Sequence, residues 1–364
     1  MNARPIKVLI VDDMRVVRDL LKEIFSSDPG VEVVGEASDP IEARALIKSA
    51  RPDVITLDVE MPRMDGLTFL RKLMRINPLP VVMISSLTQQ GAEETLDALE
   101  IGAVDVVGKS VRDGRTLADQ ADEILEKVKN AAAVRRTNLD LRISAQKFAK
   151  EVDRRREGVD EIPFHEFSEE SLVAIGGSIG GTEAIREVVE VLPPGFCPVV
   201  VVQHLPAGFS ASLASRLDDA SRVQVREATD GAVLERGTVW VAPGGHHLTV
   251  EEVDGKRVCR LSDGDPLHGQ RPSIEVLFDS VRRVAAEDAT AVLLTGMGKD
   301  GAEALLGLKE AGAKTVAQDE ETSVAWGLPG EAARLGAVDQ LCAVDEIATA
   351  LVQIEQQRAR SVKG

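Results

Sequence analysis

The first 128 residues alternate between short apolar runs and longer segments in which apolar residues recur at helical spacing. The runs are rich in valine and isoleucine, which is typical of strands that are buried on both faces. We predict strands at 7–11, 31–35, 53–57, 80–84 and 104–107, and helices near 15–26, 40–49, 66–76, 91–101 and 114–128. Strands that alternate with helices build βαβ units, so residues 1–128 are expected to form a doubly wound α/β domain with a parallel sheet.

The alternation stops in a charged segment, residues 129–170, and then resumes. We interpret this segment as a linker because it lacks strand signals, and its mixed acidic and basic residues favour a solvated surface. Residues 171–357 predict a second doubly wound parallel-sheet domain of the α/β class. Its strands are expected at 171–176, 197–203, 223–228, 237–243, 291–295 and 314–318, and residues 247–261 predict an inserted β-hairpin that turns at Asp254-Gly255.

Composition narrows the classes of partner and the compartment. The chain has 364 residues, enough for two domains, and a formal net charge of −17. This acidity, together with 3% aromatic residues and no tyrosine, argues against nucleic acid as a partner. The widely spaced Cys197, Cys259 and Cys342 predict buried free thiols rather than a disulfide framework or a zinc site. No apolar run is long enough to span a bilayer, so we expect a cytoplasmic protein without membrane insertion.

Polar residues follow four of the five strands predicted in the first domain. Asp12 and Asp13 follow the first strand, Asp58 the third, Ser85 the fourth and Lys109 the fifth. The carboxyl ends of parallel strands share one edge of the sheet, which is where open α/β folds bind ligands. Three carboxylates gathered there predict a Mg²⁺ site, with the lysine and the serine placed to contact a phosphoryl group. Any one of these acids taken alone is explained equally well as a helix cap or a solvated loop residue.

With these residues in place, the segment 5–128 resembles the receiver domain of two-component response regulators, which has a flavodoxin-like fold. The resemblance is carried by VLIVDD, DVITLDVEMPRMDGLTFL, PVVMISS and GAVDVVGK. It implies phosphorylation of Asp58 by a histidine kinase, with Asp12 and Asp13 holding Mg²⁺ beside it. Two positions depart from the family pattern: Ser110, where a proline usually follows the lysine, and Val106, where many receivers carry an aromatic residue.

The glycine-rich stretch AIGGSIGGTEAI, residues 174–185, joins a predicted strand to a predicted helix. It is not a dinucleotide fingerprint, because Ser178 stands where the second glycine must let the backbone approach a pyrophosphate. It is not a Walker phosphate-binding loop either, because no Gly-Lys-Ser/Thr follows. It does fit Gly-x-Ser-x-Gly, a sharp turn that presents a nucleophilic serine. His204 and Asp300 follow two other predicted strands, so one sheet edge can gather a Ser-His-Asp triad, with the backbone of 296–298 as an oxyanion hole.

Each of these three residues also has a purely structural explanation. Ser178 fits a helix cap, His204 a hydrogen-bonded core residue, and Asp300 the N-cap of the helix that follows it. The chain order Ser, His, Asp differs from the Ser, Asp, His order of α/β-hydrolases. If the triad exists, the order therefore predicts a different fold that uses the same chemistry.

With these residues, the second half of the chain resembles the catalytic domain of chemotaxis protein-glutamate methylesterases, the CheB type. The matching stretches are AIGGSIGGTEAI, VVQHLPAGFSASLASRLD, VWVAPGGHHL, HGQRPSIEVLF and TGMGKDGAEAL. The resemblance implies a Rossmann-like domain in which Ser178 is the nucleophile, His204 the general base and acid, and Asp300 its orienting partner. It further implies hydrolysis of glutamate γ-methyl esters on methyl-accepting chemotaxis receptors, deamidation of receptor glutamines, a kinase of the chemotaxis type, and no cofactor for the esterase.

Three further positions bear on the active site that the resemblance implies. Met297 matches the family's oxyanion-hole backbone, and His247 matches a family active-site histidine. Ile179 follows the nucleophile where the family usually has threonine, so only its backbone N–H remains for the oxyanion or the substrate. Two alternatives stay open: a receiver-regulated module that binds receptors without turnover, and a transcription factor, which is disfavoured because no basic recognition helix follows the linker.

Overall fold

The computed structural model describes residues 4–61, 64–85, 89–109, 116–134 and 167–363, which form two compact units. The strands of the first unit are β1 (Ile6–Val11), β2 (Val31–Ala37), β3 (Val54–Asp58), β4 (Val81–Ser85) and β5 (Asp105–Gly108). Its helices are α1 (Arg15–Ser26), α2 (Pro40–Ala50), α3 (Gly66–Ile76), α4 (Gln89–Ile101) and α5 (Ala121–Ala133). The strands form a parallel sheet in the order β2-β1-β3-β4-β5, as expected for a doubly wound domain.

Two helices of the first unit, α2 and α3, begin at residues whose side chains cap them. The side chain of Asp39 accepts hydrogen bonds from the first turn of α2, and Pro40 occupies the first helical position, where a missing N–H costs nothing. Asp65 caps α3 in the same way. The largest boundary difference is at α5, which begins at Ala121 after a short 3₁₀ turn instead of near residue 114, and which extends to Ala133 into the segment predicted as linker.

The second unit contains a seven-stranded parallel sheet and a separate hairpin. Its strands are β6 (Leu172–Gly177), β7 (Val199–Gln203), β8 (Gln224–Glu227), β9 (Thr238–Val241), β10 (His247–Val253), β11 (Lys256–Ser262), β12 (Ala289–Leu293), β13 (Lys314–Gln318) and β14 (Gln340–Cys342). The helices are α6 (Gly181–Val189), α7 (Ser210–Ala220), α8 (Ile274–Val284), α9 (Ala302–Glu310), α10 (Leu328–Arg334) and α11 (Val344–Lys363). The sheet order is β14-β13-β12-β6-β7-β9-β8.

Strands β10 and β11 pair antiparallel and confirm the predicted hairpin. Asp254 and Gly255 at its turn have φ of 52° and 73°, the left-handed conformation that a two-residue hairpin turn requires. The edge strand β14 was not predicted, because it is only three residues long and its residues are not buried. Cys197 and Cys259 are buried free thiols, whereas Cys342 on β14 is half-buried.

The strand order places the candidate residues at one crevice in each sheet. In the second sheet, β6 lies between β7 and β12, and the chain builds outward from β6 in both directions. Ligands of open α/β sheets bind where the strand order reverses in this way, at the carboxyl ends of the strands. The segments that follow β6 and β12 therefore face each other across this crevice. Among the described helices, none is both long and apolar enough to cross a membrane.

Candidate active site

Ser178 lies in the turn between β6 and α6, and backbone contacts fix it on both sides. Its N–H donates to Thr295 O at 3.0 Å, and its carbonyl accepts from the Gly181 N–H at 2.8 Å. Gly180 has a φ of 75°, a conformation that other residues adopt only with strain. A Cβ on Gly296 would lie 2.6 Å from the Ser178 Cβ. The glycines therefore serve the turn and the close packing of the β12 loop on the serine.

The structure brings Ser178, His204 and Asp300 together at the crevice. His204 Nδ1 lies 3.1 Å from Ser178 Oγ, and His204 Nε2 lies 2.9 Å from Asp300 Oδ2. The imidazole and the carboxylate are both buried, whereas the serine is partly exposed. Because an ionised carboxylate only accepts hydrogen bonds, the proton of a neutral His204 belongs on Nε2, which leaves Nδ1 as the acceptor for the serine hydroxyl.

Asp300 is held at the N-terminus of α8. Its Oδ2 accepts from the Ile274 N–H at 2.7 Å as well as from His204, and its Oδ1 accepts from the Ser273 hydroxyl at 2.8 Å and the Glu275 N–H at 3.1 Å. Burial acts to raise the pKa of Asp300, but the hydrogen bond and charge of His204, with the other donors, outweigh it and hold that pKa below 3.8. The carboxylate is therefore ionised at neutral pH.

Two glycines allow α8 to come this close. A Cβ on Gly176, in β6, would lie 2.4 Å from Ile274 Cγ2, and a Cβ on Gly301, next to Asp300, would lie at the same distance. Asp300 therefore caps α8 and not the helix that follows it, since α9 begins after Gly301 without a side-chain cap. The structural explanation offered by the sequence for Asp300 named the wrong helix.

Backbone N–H groups beside the serine are the available oxyanion donors. The Gly296 N–H is committed to Ala325 O at 2.9 Å, whereas the N–H groups of Met297 and Ile179 have no hydrogen-bond partner in the described part of the chain. Gly298 has a φ of 92°, so this loop turns sharply beside Ser178. The site therefore offers the N–H groups of Met297 and Ile179. Ile179 is only 3% exposed, so its side chain belongs to the core and the N–H is the group it can offer to the oxyanion.

His247 lies behind the triad and does not contact it directly. Its Nδ1 accepts from the Ser273 N–H at 3.2 Å, and its Nε2 lies 3.0 Å from Asp265 O. With 3% of its surface exposed, the ring is not presented to a substrate. The structure therefore places this predicted site residue one hydrogen bond behind the loop that holds Asp300.

Two residues that contact the triad were missed from the sequence. Ser273 is fully buried, and its hydroxyl donates to Asp300 while it accepts from the Val276 N–H as the N-cap of α8. Gln203 Nε2 donates to Ser178 O at 2.8 Å. A serine directly before an amphipathic segment is a helix-start signal, so the cap was detectable. The hydrogen bond from Ser273 to Asp300 was not detectable, because it depends on packing between segments that are distant in the sequence.

His268 lies near the carboxylates of Glu275 and Asp300. Its Nε2 lies 3.8 Å from Glu275 Oε2, and His268, Glu275 and Asp300 each place one ligand-type atom within a 4.8 Å cluster. Burial raises the pKa of Glu275, although the Gly301 N–H donates to it. The cluster is poorly suited to a metal ion, because each oxygen of Asp300 already accepts two hydrogen bonds.

The first unit gathers its predicted site at the ends of β1, β3, β4 and β5. Lys109 Nζ lies 3.0 Å from Asp12 Oδ2 and 2.8 Å from Asp58 Oδ2. Asp12 and Asp58 are buried, whereas Asp13 is exposed. Ser85 is buried at the end of β4, where its hydroxyl lies 3.3 Å from Gly91 O. Ser110 lies outside the described residues.

The carboxylates of this site fit a divalent cation. Oxygens of Asp12, Asp13 and Asp58 lie within 4.8 Å of one another, and one ammonium group balances only part of their charge. Burial, reinforced by the charge of Asp12, raises the pKa of Asp58 to about 6 despite the hydrogen bond from Lys109, and burial also raises the pKa of Asp12. An all-oxygen set of crowded carboxylates that are costly to ionise without a cation suits Mg²⁺.

The chain matches known proteins over both units. Residues 173–351 match the family model of the CheB methylesterase, and residues 8–121 match that of the response regulator receiver domain. A protein-glutamate methylesterase/protein-glutamine glutaminase of Xanthomonas euvesicatoria pv. vesicatoria is 48% identical over 97% of this chain and 98% of its own length. A protein of the same name from Hahella chejuensis is 49% identical over 95% of each chain.

A solved structure supports the same assignment for the second unit. The crystal structure of the Thermotoga maritima CheB methylesterase catalytic domain is 36% identical, with a TM-score of 0.50, and the match covers 50% of this chain and 98% of that one. The likeness therefore extends to nearly the whole of that domain. The protein belongs to the CheB methylesterase family and carries a response regulator receiver domain in front of the methylesterase domain.

Proposed function

We propose that this protein is a phosphorylation-regulated hydrolase of two-component chemotaxis signalling. It removes methyl groups from glutamate γ-methyl esters on chemoreceptors and also deamidates receptor glutamines. The observation that carries the proposal is the arrangement of Ser178, His204 and Asp300, with contacts of 3.1 Å and 2.9 Å at the sheet crevice. The relatives named protein-glutamate methylesterase/protein-glutamine glutaminase support the choice of substrate.

The first half of the reaction transfers the glutamyl group to the enzyme. Ser178 Oγ attacks the ester carbonyl carbon while its proton passes to His204 Nδ1, and the carbonyl electrons move onto the oxygen. The N–H groups of Met297 and Ile179 donate to this oxyanion. Asp300, ionised and fixed by α8, stabilises the imidazolium that forms. The C–O bond to the methoxy group then breaks, and His204 returns the proton so that methanol leaves.

The second half regenerates the serine. His204 Nδ1 takes a proton from water, whose oxygen attacks the acyl carbon, and the collapse of this intermediate breaks the bond to Ser178 Oγ. The serine recovers the proton, and the side chain leaves as glutamate. With a glutamine side chain, the same steps release ammonia in place of methanol. The chemistry needs no cofactor beyond these side chains and backbone donors.

The receiver domain supplies the regulation. We propose that Asp58 accepts a phosphoryl group from a chemotaxis-type histidine kinase, with Asp12, Asp13 and Asp58 holding Mg²⁺. When bound, the ion neutralises phosphoryl charge and orients the transfer. Lys109, which already bridges Asp12 and Asp58, donates to the phosphoryl oxygens. Ser85 lies at the neighbouring strand end and hydrogen-bonds to the same group.

The domain boundaries and location follow from the same proposal. We propose that residues 1–128, together with the end of α5 up to Ala133, form the receiver, that a linker follows up to residue 170, and that 171–357, with the rest of α11, form the methylesterase domain. A substrate on receptor cytoplasmic regions and a kinase of the same pathway place the enzyme in the cytoplasm. Neither activity calls for nucleic acid or for a membrane-inserted segment.

Isotope release from a methylated receptor fragment tests the proposal. The full chain is incubated with a chemoreceptor cytoplasmic fragment whose glutamates carry labelled methyl esters, and volatile methanol is counted. We expect release by the unaltered chain and a loss of at least about three powers of ten in Ser178→Ala. Ser168→Ala is the matched control, because among the described residues this hydroxyl accepts a hydrogen bond from the nearby Glu170 N–H alone. Ammonia release from an unmethylated fragment tests deamidation in parallel.

Two added measurements separate the proposal from its alternative. A fluorophosphonate should label the unaltered chain and not Ser178→Ala, because only an activated serine reacts quickly. A non-catalytic module would bind the fragment but release no methanol and take no label. A small phosphodonor with Mg²⁺ should stimulate release by the unaltered chain and leave Asp58→Ala unstimulated. Stimulation that persists in Asp58→Ala would remove Asp58 from the account.

A further inference from the structure

A second layer of hydrogen bonds lies behind Asp300. Ser273 donates its hydroxyl to Asp300 Oδ1 at 2.8 Å, and its own N–H donates to His247 Nδ1 at 3.2 Å. Ser273 is fully buried and His247 is 3% exposed, so water is kept from both bonds. Buried polar groups of this kind are costly to leave without partners, which makes the layer rigid.

The contacts of His247 define its tautomer. Its Nε2 lies 3.0 Å from the backbone oxygen of Asp265, and a carbonyl oxygen can only accept. Nε2 therefore carries the proton, and the unprotonated Nδ1 accepts the Ser273 N–H. Both ring nitrogens are committed to the protein, so the ring has no polar atom left for a substrate.

We propose that His247 and Ser273 are positioning residues for the triad. Resting on the proposed function, the inference is that His247 fixes the Ser273 backbone and that Ser273 in turn fixes Asp300. The chain of bonds runs from Asp265 O through His247, Ser273 and Asp300 to His204, and it ends at Ser178 Oγ. Neither positioning residue touches the reacting atoms.

The geometry explains why the backbone of Ser273 matters. It is the N-cap of α8, and its hydroxyl both donates to Asp300 and accepts from the Val276 N–H. If the Ser273 N–H loses its acceptor, the residue is free to rotate and the hydroxyl leaves the line to Asp300 Oδ1. Asp300 then retains the backbone donors of α8, but its Oδ1 accepts from the Glu275 N–H alone. Catalytic groups must be held within a fraction of an ångström, so a small rotation is felt at His204.

A matched pair of amide substitutions isolates the bond that the proposal needs. In His247→Asn, the amide oxygen can take the position of Nδ1 and accept the Ser273 N–H. In His247→Gln, the longer side chain instead places its NH₂ near the position of Nε2, toward Asp265 O. The two variants remove the same ring and differ in which bond survives. His246→Asn is the control, because His246 is exposed and pairs with Asp263 at the surface.

The expected ranking appears in kcat and not in KM. His247→Gln should lower kcat about tenfold, the effect of one hydrogen bond, with KM unchanged. His247→Asn should stay within about threefold of the unaltered chain, and His246→Asn should match it. Ser273→Ala should lower kcat at least as much as His247→Gln, and Ser273→Thr should restore part of the loss. Urea unfolding of each variant checks that both His247 variants are folded and similarly stable.

Proton NMR of the substrate-free full chain gives a readout that does not depend on the substrate. The far-downfield signal of the His204 Nε2–H reports its bond to Asp300, so it should shift or broaden in His247→Gln and Ser273→Ala and persist in His247→Asn. Equal signals and equal kcat in the two His247 variants would overturn the inference. If the unaltered chain releases no methanol, the proposed function fails, and the signals still decide whether these residues position Asp300.

Discussion

Replacing Asp300 by asparagine tests the catalytic arrangement with almost no change in volume. The carboxylate accepts two hydrogen bonds on each oxygen, from His204 and Ile274 on one and from Ser273 and Glu275 on the other. Asparagine replaces one oxygen by a donor. The Ser273 hydroxyl can turn to accept, but the backbone N–H groups of Ile274 and Glu275 cannot. Either orientation of the amide therefore sets one buried donor against another.

The loss in rate follows from the His204–Asp300 distance. In the unaltered chain, a negatively charged oxygen of Asp300 lies 2.9 Å from His204 Nε2. In Asp300→Asn, the imidazolium that forms during ester attack has no such charge beside it. With charge centres about 3–4 Å apart and an effective dielectric constant near 20, the lost attraction is about 4–6 kcal/mol. That is roughly three to four powers of ten in kcat. The buried donor conflict adds a loss of about 1–3 kcal/mol in the free energy of unfolding.

The assay is methanol release under saturating receptor fragment, with urea unfolding of the same samples. Asp265→Asn is the matched control, because its side chain is exposed and only its backbone oxygen contacts His247. The control should keep both kcat and stability. A kcat for Asp300→Asn within tenfold of the unaltered chain would refute the role of the carboxylate. A large loss of rate without loss of stability would refute the capping argument alone.

Three other substitutions test separate features by urea unfolding. Asp58→Asn in EDTA should stabilise the chain at pH 7.5 by about 2–3 kcal/mol, because folding raises the pKa of Asp58 from 3.8 to about 6. The cost of ionising Asp58 in the folded state develops as pH rises from about 4 to about 6, so the stability gained in Asp58→Asn should vanish near pH 4. A gain in the free energy of unfolding that does not vary with pH would contradict this reasoning. Gly66→Ala should lower the free energy of unfolding by at least about 2 kcal/mol, because the added Cβ would lie 2.1 Å from Asp58 O. Gly307→Ala is the control and should not lower it, because the nearest atom to its Cβ would lie at 3.4 Å. Ile179→Thr should cost about 1–2 kcal/mol because the side chain is buried, with kcat within about threefold, and a tenfold rise in kcat would show that a hydroxyl is useful there.

The parts of the fold that could be predicted are those encoded locally. The valine-rich runs predict most of the strands because a fully buried strand carries its signal within a few residues. The meeting of Ser178, His204 and Asp300 could be predicted as well, because each follows a strand and parallel strands end at one edge. The strand β14 could not, since three residues without burial carry no periodic signal.

The surroundings of the triad depend on contacts between distant segments. Ser273 has the sequence signal of a helix cap, but nothing near it indicates that its hydroxyl also reaches Asp300. The sequence match for His247 indicates an active-site residue, whereas its two buried partners lie on the loop behind the site. Tertiary packing decides which groups a side chain meets, and a linear pattern does not contain that information.

The pairing of β6 with β12 also has a consequence for the folding of the enzyme. Gly176 and Leu293 are partners in the sheet, yet the whole of β7–β11 lies between them in the chain. Contacts that close such long loops are opposed by chain entropy and form slowly. Ser178 and His204 follow β6 and β7, which are consecutive strands in the chain and neighbours in the sheet. Asp300 joins them only when β12 pairs with β6. The rate at which hydrolysis recovers during refolding therefore reports the pairing of β6 with β12. This recovery should be slower than the recovery of the helical circular dichroism signal.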